Sequence, residues 1–123
     1  METPVNARFE RPVFSRARRL CLALPETTET SSWGHPNFRA GNKTFCVFEI
    51  VHGRPSIGFR LEPADVQRVV KRAEGFDTPY GRQRWASVWV DAKVDWVLIE
   101  RLITRSYHVV ANKRMVRALA SPD

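Results

Sequence analysis

Long apolar runs are missing from this chain. No stretch approaches the roughly 18 residues that a membrane-spanning helix requires, and the opening METPVNARFERP has no apolar core of the kind a secretion signal carries. These absences lead to the expectation of a cytoplasmic protein with no membrane partner. Cysteine is scarce as well. Cys21 and Cys46 form no CxxC pair and have no pair of histidines nearby, so redox and zinc chemistry are not indicated and two buried, reduced thiols are expected. His35, His52 and His108 fall at no metal-ligand spacing. A catalytic triad and a glycine-rich nucleotide loop are also lacking, and with them any pointer to a cofactor or an enzymatic activity.

Acidic residues are outnumbered: 20 Lys and Arg face 13 Asp and Glu, a formal net charge of +7. Lysine supplies only four of the cations and arginine sixteen. Arginine suits planar, bidentate contact with phosphate or carboxylate, although GC-rich coding enriches it too. A basic balance bears on partners, not on fold. With 123 residues, 43% of them hydrophobic and thirteen aromatic, the chain has material for one packed core and too little length for two, so residues 1–123 are read as a single domain.

Pro12 can open a helix in which Val13, Phe14, Ala17, Leu20, Cys21 and Leu24 share one face, with Pro25 ending it. The Thr- and Ser-rich segment from Thr27 to Ser32 reads as a strand, and Trp33-Gly34-His35-Pro36 as a turn into Asn37 to Ala40. Gly41-Asn42 marks a hairpin. Along Lys43 to Val51, strict alternation puts Cys46, Phe48 and Ile50 on one face and Phe45, Val47 and Glu49 on the other. His52-Gly53-Arg54 turns the chain into a strand with Ile57, Phe59 and Leu61 inward. Pro63 opens a helix with Val66, Val69 and Val70 on its apolar face, and Gly75 is placed to end it. After a loop from Phe76 to Gly81, Trp85 to Val90 alternates as a strand. Asp91 or Asp95 can cap the last long helix, whose apolar stripe is Trp96, Ile99, Leu102, Ile103, Tyr107 and Val110. The expected architecture is a two-layer α+β domain, an antiparallel β-sheet with helices packed on one face.

Several segments, taken in order, resemble the MmcQ/YjbR family. They are Leu24-Pro25-Glu26-Thr27, Trp33-Gly34-His35-Pro36-Asn37-Phe38-Arg39, Gly41-Asn42-Lys43-Thr44-Phe45, Pro79-Tyr80 with Trp85, and Ser106-Tyr107 ahead of a basic tail. Ala111-Asn112 departs from the Leu-Pro often found before the closing lysine. The resemblance implies an α+β fold similar to the secretion-chaperone and frataxin-like shapes. It also implies hairpins that have been likened to a double-wing DNA-binding surface, a likeness of shape that names neither a target nor a pathway.

From the residues themselves, phosphate contact calls for cations on projecting turns, and Arg39, Lys43, Arg54, Arg82 and Arg84 occupy such positions. The expected function is therefore weak binding of DNA or RNA without strong sequence preference. Two wings would straddle a duplex if those tips converge, while Glu49 and Glu62 would weaken a phosphate surface. A second sheet face bearing Phe45, Val47, Trp85 and Trp89 beside Arg60 would instead stack unpaired bases, or would serve a protein partner or a homodimer. A third arrangement is a pocket for a small anion around Trp33, His35 and Tyr80, in which His35 lacks an evident acidic partner.

Overall fold

The computed structural model describes residues 8–79 and 81–120. Helix α1 (Pro12–Leu22) precedes four strands, β1 (Thr27–Ser32), β2 (His35–Ala40), β3 (Lys43–Val51) and β4 (Arg54–Arg60). Helix α2 (Pro63–Val70) leads to β5 (Gly75–Asp77) and β6 (Trp85–Trp89), and α3 (Trp96–Val110) and α4 (Lys113–Ala120) follow. The strands form one sheet in the order β1-β2-β3-β4-β6-β5, antiparallel throughout. Helix α3 packs on β3 and β4, α2 on β5 and β6, and α1 on α3 and β1. The two-layer α+β arrangement anticipated from the sequence is thus present.

Local chemistry accounts for the element ends. Proline occupies the first turn of both α1 and α2, where its missing N–H leaves no bond unmade. Asp95, not Asp91, caps α3 by accepting from the Leu98 N–H at 3.1 Å. Asn112 does the same for α4, accepting from the Met115 N–H at 2.9 Å, so the departure at Ala111-Asn112 supplies a cap. The β1–β2 and β3–β4 hairpins turn through Trp33-Gly34 and His52-Gly53, with all four residues at positive φ. That geometry matches the twist of paired strands. The β1–β2 turn is shorter than the sequence implies, because His35 and Pro36 already belong to β2.

The core lies between sheet and helices. Phe14 of α1 stacks on Phe48 with ring centroids 4.8 Å apart, and Phe38 lies 4.8 Å from Phe48 on the other side. Cys46, Ile57, Phe59, Ala86 and Val88 continue this buried face toward Ile99, Leu102 and Ile103 of α3. Cys21 and Cys46 are both buried and free, and burial, then the neighbouring Cys21 thiol, pushes the Cys46 thiol well above its usual range. Tyr107 donates its hydroxyl to the Pro25 carbonyl at 2.8 Å, tying α3 to the exit of α1.

Two expectations about the sheet require correction. The pairing of β2 with β3 shifts by one residue after Phe38, which leaves Phe45 as the extra residue of a β-bulge. Phe45 therefore joins Cys46 on the helix side, fully buried and edge-on to Tyr107 at 5.7 Å, instead of lying beside Val47. The segment after α2 is not all loop either. Gly75 starts β5, and Phe76 pairs opposite Ser87 and stacks on Trp89 at 4.1 Å.

Gly75 has a steric reason to be glycine: a Cβ there would stand 1.9 Å from the Val69 carbonyl oxygen. Gly53 has open space around it and only its φ of +77° to satisfy. Gly75→Ala is expected to lower the unfolding free energy by about 2–3 kcal/mol, and Gly53→Ala by about 1 kcal/mol. Urea titration of the two variants measures both, and equal losses would contradict the close packing of α2 on β5.

Candidate functional site

Helices cover one face of the sheet, and the other carries a patterned set of side chains. Strand pairing orders that open face in rows. Arg39 of β2 lies opposite Thr44 of β3, and Arg60 of β4 opposite Trp85 of β6. The next row is Asn37, Val47, Gly58, Ser87 and Phe76, and the third contains Glu49, Ser56 and Trp89.

The first row sits where the β2–β3 turn and the β5–β6 connection meet the sheet. Lys43 opens β3 there, but opposite the buried Ala40, so its side chain projects on the helical side near Glu26 and Arg114; Arg82 and Arg84 precede Trp85. Arg60 donates to the carbonyls of Leu61 at 3.0 Å and Arg84 at 3.4 Å, which draws the β4 and β6 ends together. Arg39 donates to the Asn42 carbonyl across its own hairpin, and its Nε is buried with no partner among the described residues. Arg82 and Gln83 both take positive φ, so the connection bends sharply beside these cations.

Arg18, Arg54, Arg68, Arg72, Arg105 and Arg114 each lie within salt-bridge distance of a carboxylate. Among the described residues, Arg8, Arg11, Arg16, Arg19, Lys71, Lys93, Arg101, Lys113 and Arg117 have no such partner, and neither have Arg39, Lys43, Arg60, Arg82 and Arg84. The sequence placed Arg54 with this group, and the fold separates it. Arg54 lies at the far end of nine-residue β3, roughly 27 Å from Lys43 at strand rise. Its guanidinium is bound by Asp91 and sits 4.0 Å above the Trp89 ring centroid. The two hairpin tips therefore do not converge, and two wings gripping one duplex do not arise from this geometry. Arg60 was legible only as a neighbour of the aromatic face, and its place in the basic row follows from β4–β6 pairing.

A cavity of about 250 Å³ opens on the same face, next to the basic row. Trp33, Val47, Pro79 and Trp85 give it apolar walls, and His35, Asn37, Glu49 and Thr78 give it polar groups. Thr78 and Ser87 share a hydroxyl hydrogen bond of 2.7 Å, which holds the segment after β5 against the sheet. Asn37 donates to the His35 carbonyl at 2.9 Å, and the His35 Nδ1 is buried without a partner among the described residues. Trp33 is 96% exposed at φ +54°, an unusual conformation for a bulky residue. Tyr80, expected beside His35, lies outside the described residues. Glu49 lines the cavity too, and its carboxylate repels a small anion. Phe45 has left this face, so the stacking surface consists of Trp33, Trp85, Trp89 and Phe76.

A larger concavity, about 740 Å³, lies elsewhere, between α2 and α3. Its Arg105 is held by Asp65, which also binds Arg68, and Glu62 and Glu100 add negative charge to its lining. No group of three His, Cys, Asp or Glu side chains that could hold a metal ion is gathered among the described residues, and none of their helices is long and apolar enough to cross a membrane.

Fold and face together define an α+β domain whose antiparallel sheet is sealed on one side and open on the other. The family model described as YjbR matches residues 22–109, and the chain belongs to that family. A solved protein from Deinococcus radiodurans, described by its DUF419 domain, is similar over 100% of this chain and 94% of its own, with 20% identity and a TM-score of 0.67. A Pseudomonas syringae protein is similar over 70% of this chain and 88% of its own, with 16% identity and a TM-score of 0.60. At those identities the likeness speaks for the fold alone. No curated protein matches the chain.

The Arg54–Asp91 pair has a titration signature. Hydrogen bonding to Arg54 holds the Asp91 carboxyl below its ordinary value of 3.8, and Asp91 in turn raises the Arg54 guanidinium. The pair is intact at neutral pH and is lost as pH falls through the depressed Asp91 value. In Arg54→Ala, the Asp91 midpoint read from its side-chain carbon shift is expected to rise, and an unchanged midpoint would contradict the pairing.

Proposed function

We propose that this protein binds nucleic acid through the open face of its sheet, with Arg39, Arg60, Arg82 and Arg84 contacting phosphates and Lys43 standing at the adjoining β2–β3 turn. The observation that carries this reading is the gathering of Arg39, Arg60, Arg82 and Arg84, none of them held by a carboxylate among the described residues, at one end of the open face beside Trp85. An arginine already held by a carboxylate offers little to a phosphate. An unpaired one can take the place of cations condensed on a polyanion, and the release of those cations drives association. Arginine also forms bidentate bonds to phosphate oxygens that lysine does not.

A single strand suits this face better than a duplex. Trp85 shares its row with Arg60, and Trp33 stands free at the adjoining turn, so an unpaired strand can place phosphates on the cations and bases on the indoles. Contacts to phosphate carry no sequence information, and the affinity they supply is weak and strongly salt-dependent. A protein-interaction or dimerisation role for the same face is the second reading, favoured by the exposed Trp33 and the Phe76–Trp89 stack.

Fluorescence anisotropy with labelled single-stranded and duplex oligonucleotides tests the proposal. The variant Arg39→Ala/Arg60→Ala/Arg84→Ala is expected to weaken single-strand binding at least about tenfold and to reduce the log–log salt slope by about 2, near 0.7 per lost phosphate contact. Arg54→Ala should change affinity less than about twofold, because its guanidinium is already engaged. Absence of binding at low salt, or equal loss in the two variants, contradicts the assignment.

A further inference from the structure

We infer that the cavity beside the basic row is a base pocket that selects guanine from a bound single strand, an inference that rests on the nucleic-acid reading above. Trp33 and Trp85 line it, and its volume of about 250 Å³ has room for one base. Trp85 belongs both to this cavity and to the row of Arg60, so a strand whose phosphates lie on the cations has a base at the mouth.

Glu49 sets the selectivity. In a chain of net charge +7, the Glu49 carboxylate receives no hydrogen bond and no ion pair from any described side chain, although cations line the adjacent end of the sheet. A carboxylate on a phosphate-binding face opposes affinity, so its presence there needs a ligand that supplies donors. Two adjacent oxygens accept two adjacent N–H groups, and among the four bases only guanine presents such a pair on its Watson–Crick edge, N1–H and N2–H. Adenine and cytosine offer one amino group beside an acceptor, and thymine one N–H between two carbonyls. Charge-assisted bonds of this kind are about twice as strong as neutral ones. His35 and Asn37 line the same cavity and meet the acceptors of the purine, O6 and N7, which a cage for an alkylammonium ion would have no use for.

Gly58 adjoins these residues in the middle row, where a Cβ would stand 3.3 Å from Ser87 Oγ, 3.7 Å from Glu49 Oε1 and 3.8 Å from Trp85 Cε3. The Glu49 carboxylate and the Trp85 ring thus flank one point of the sheet. The Thr78–Ser87 hydroxyl bond holds Thr78, part of the cavity wall, against the sheet.

The test uses thymidine nonamers carrying one central G, A or C, with all-T as the reference, titrated by anisotropy against the full chain. The central-G strand is expected to bind at least about fivefold tighter than the others. Glu49→Gln exchanges one acceptor for a donor, a pattern that fits adenine, so the preference should move from G toward A while all-T affinity holds or improves. Equal affinities for all four strands, or a G preference that survives Glu49→Gln, overturns the pocket and leaves the phosphate reading standing. Failure of every strand to bind overturns both.

Discussion

The inward turn of Phe45 fixes what each face of the sheet can do. Strict alternation along β3 would place this ring on the open side, where it would spread an apolar surface between Arg39 and Arg60. The bulge adds one residue to β3, so Phe45 and Cys46 both enter the helix layer, and Phe45 meets Tyr107 edge-on. Tyr107 is in turn anchored to the Pro25 carbonyl. A buried ring of this size contributes on the order of 2–3 kcal/mol through the water it excludes, and bulges commonly re-aim side chains next to functional sites. The same device leaves Thr44, small and polar, opposite Arg39 on the open face.

On the helical side several arginines are paired, Arg18 with Glu29, Arg68 and Arg105 with Asp65, Arg72 with Glu74, and Arg114 with Glu26, while Arg16, Arg19, Arg101 and Arg117 have no carboxylate partner among the described residues. Exposed pairs of this sort contribute little to stability individually. On the open face, Arg39, Arg60, Arg82 and Arg84 gather at one end, beside a cavity that contains a carboxylate. Affinity without sequence preference and discrimination of one base are then assigned to different rows of one sheet.

Much of the fold was legible because local signals agreed. Pro12 and Pro63 mark helix starts, Trp33-Gly34, Gly41-Asn42 and His52-Gly53 mark hairpins, and the apolar periods of α1 and α3 match the faces they bury. The bulge was not legible, since Phe45-Cys46-Val47-Phe48 is apolar throughout and does not show where the alternation slips by one. Strand β5 escaped notice because three residues are too few to show a period, and Gly75, read as a helix stop, is needed for its approach to the Val69 carbonyl. For the site, the turn positions of Arg39, Lys43, Arg82 and Arg84 pointed to exposed cations. Which of them lack carboxylates depends on partners far away in sequence, as the distance from Arg54 to Asp91 illustrates. Glu49, read from the sequence as a detriment to phosphate binding, takes on meaning only when β3 and β4 set it beside Gly58.

The central claim is that the open face and its basic end form the binding surface, and backbone amide chemical-shift mapping tests it most directly. A uniformly nitrogen-15-labelled sample would be titrated with a short single-stranded oligonucleotide at low salt. The account predicts shifts concentrated at Arg39, Lys43, Thr44, Arg60, Arg84 and Trp85 and at the Trp33 and Trp85 indole N–H groups, with α2 and α3 unmoved. Shifts confined to the groove between α2 and α3, or no shifts at all, would contradict it.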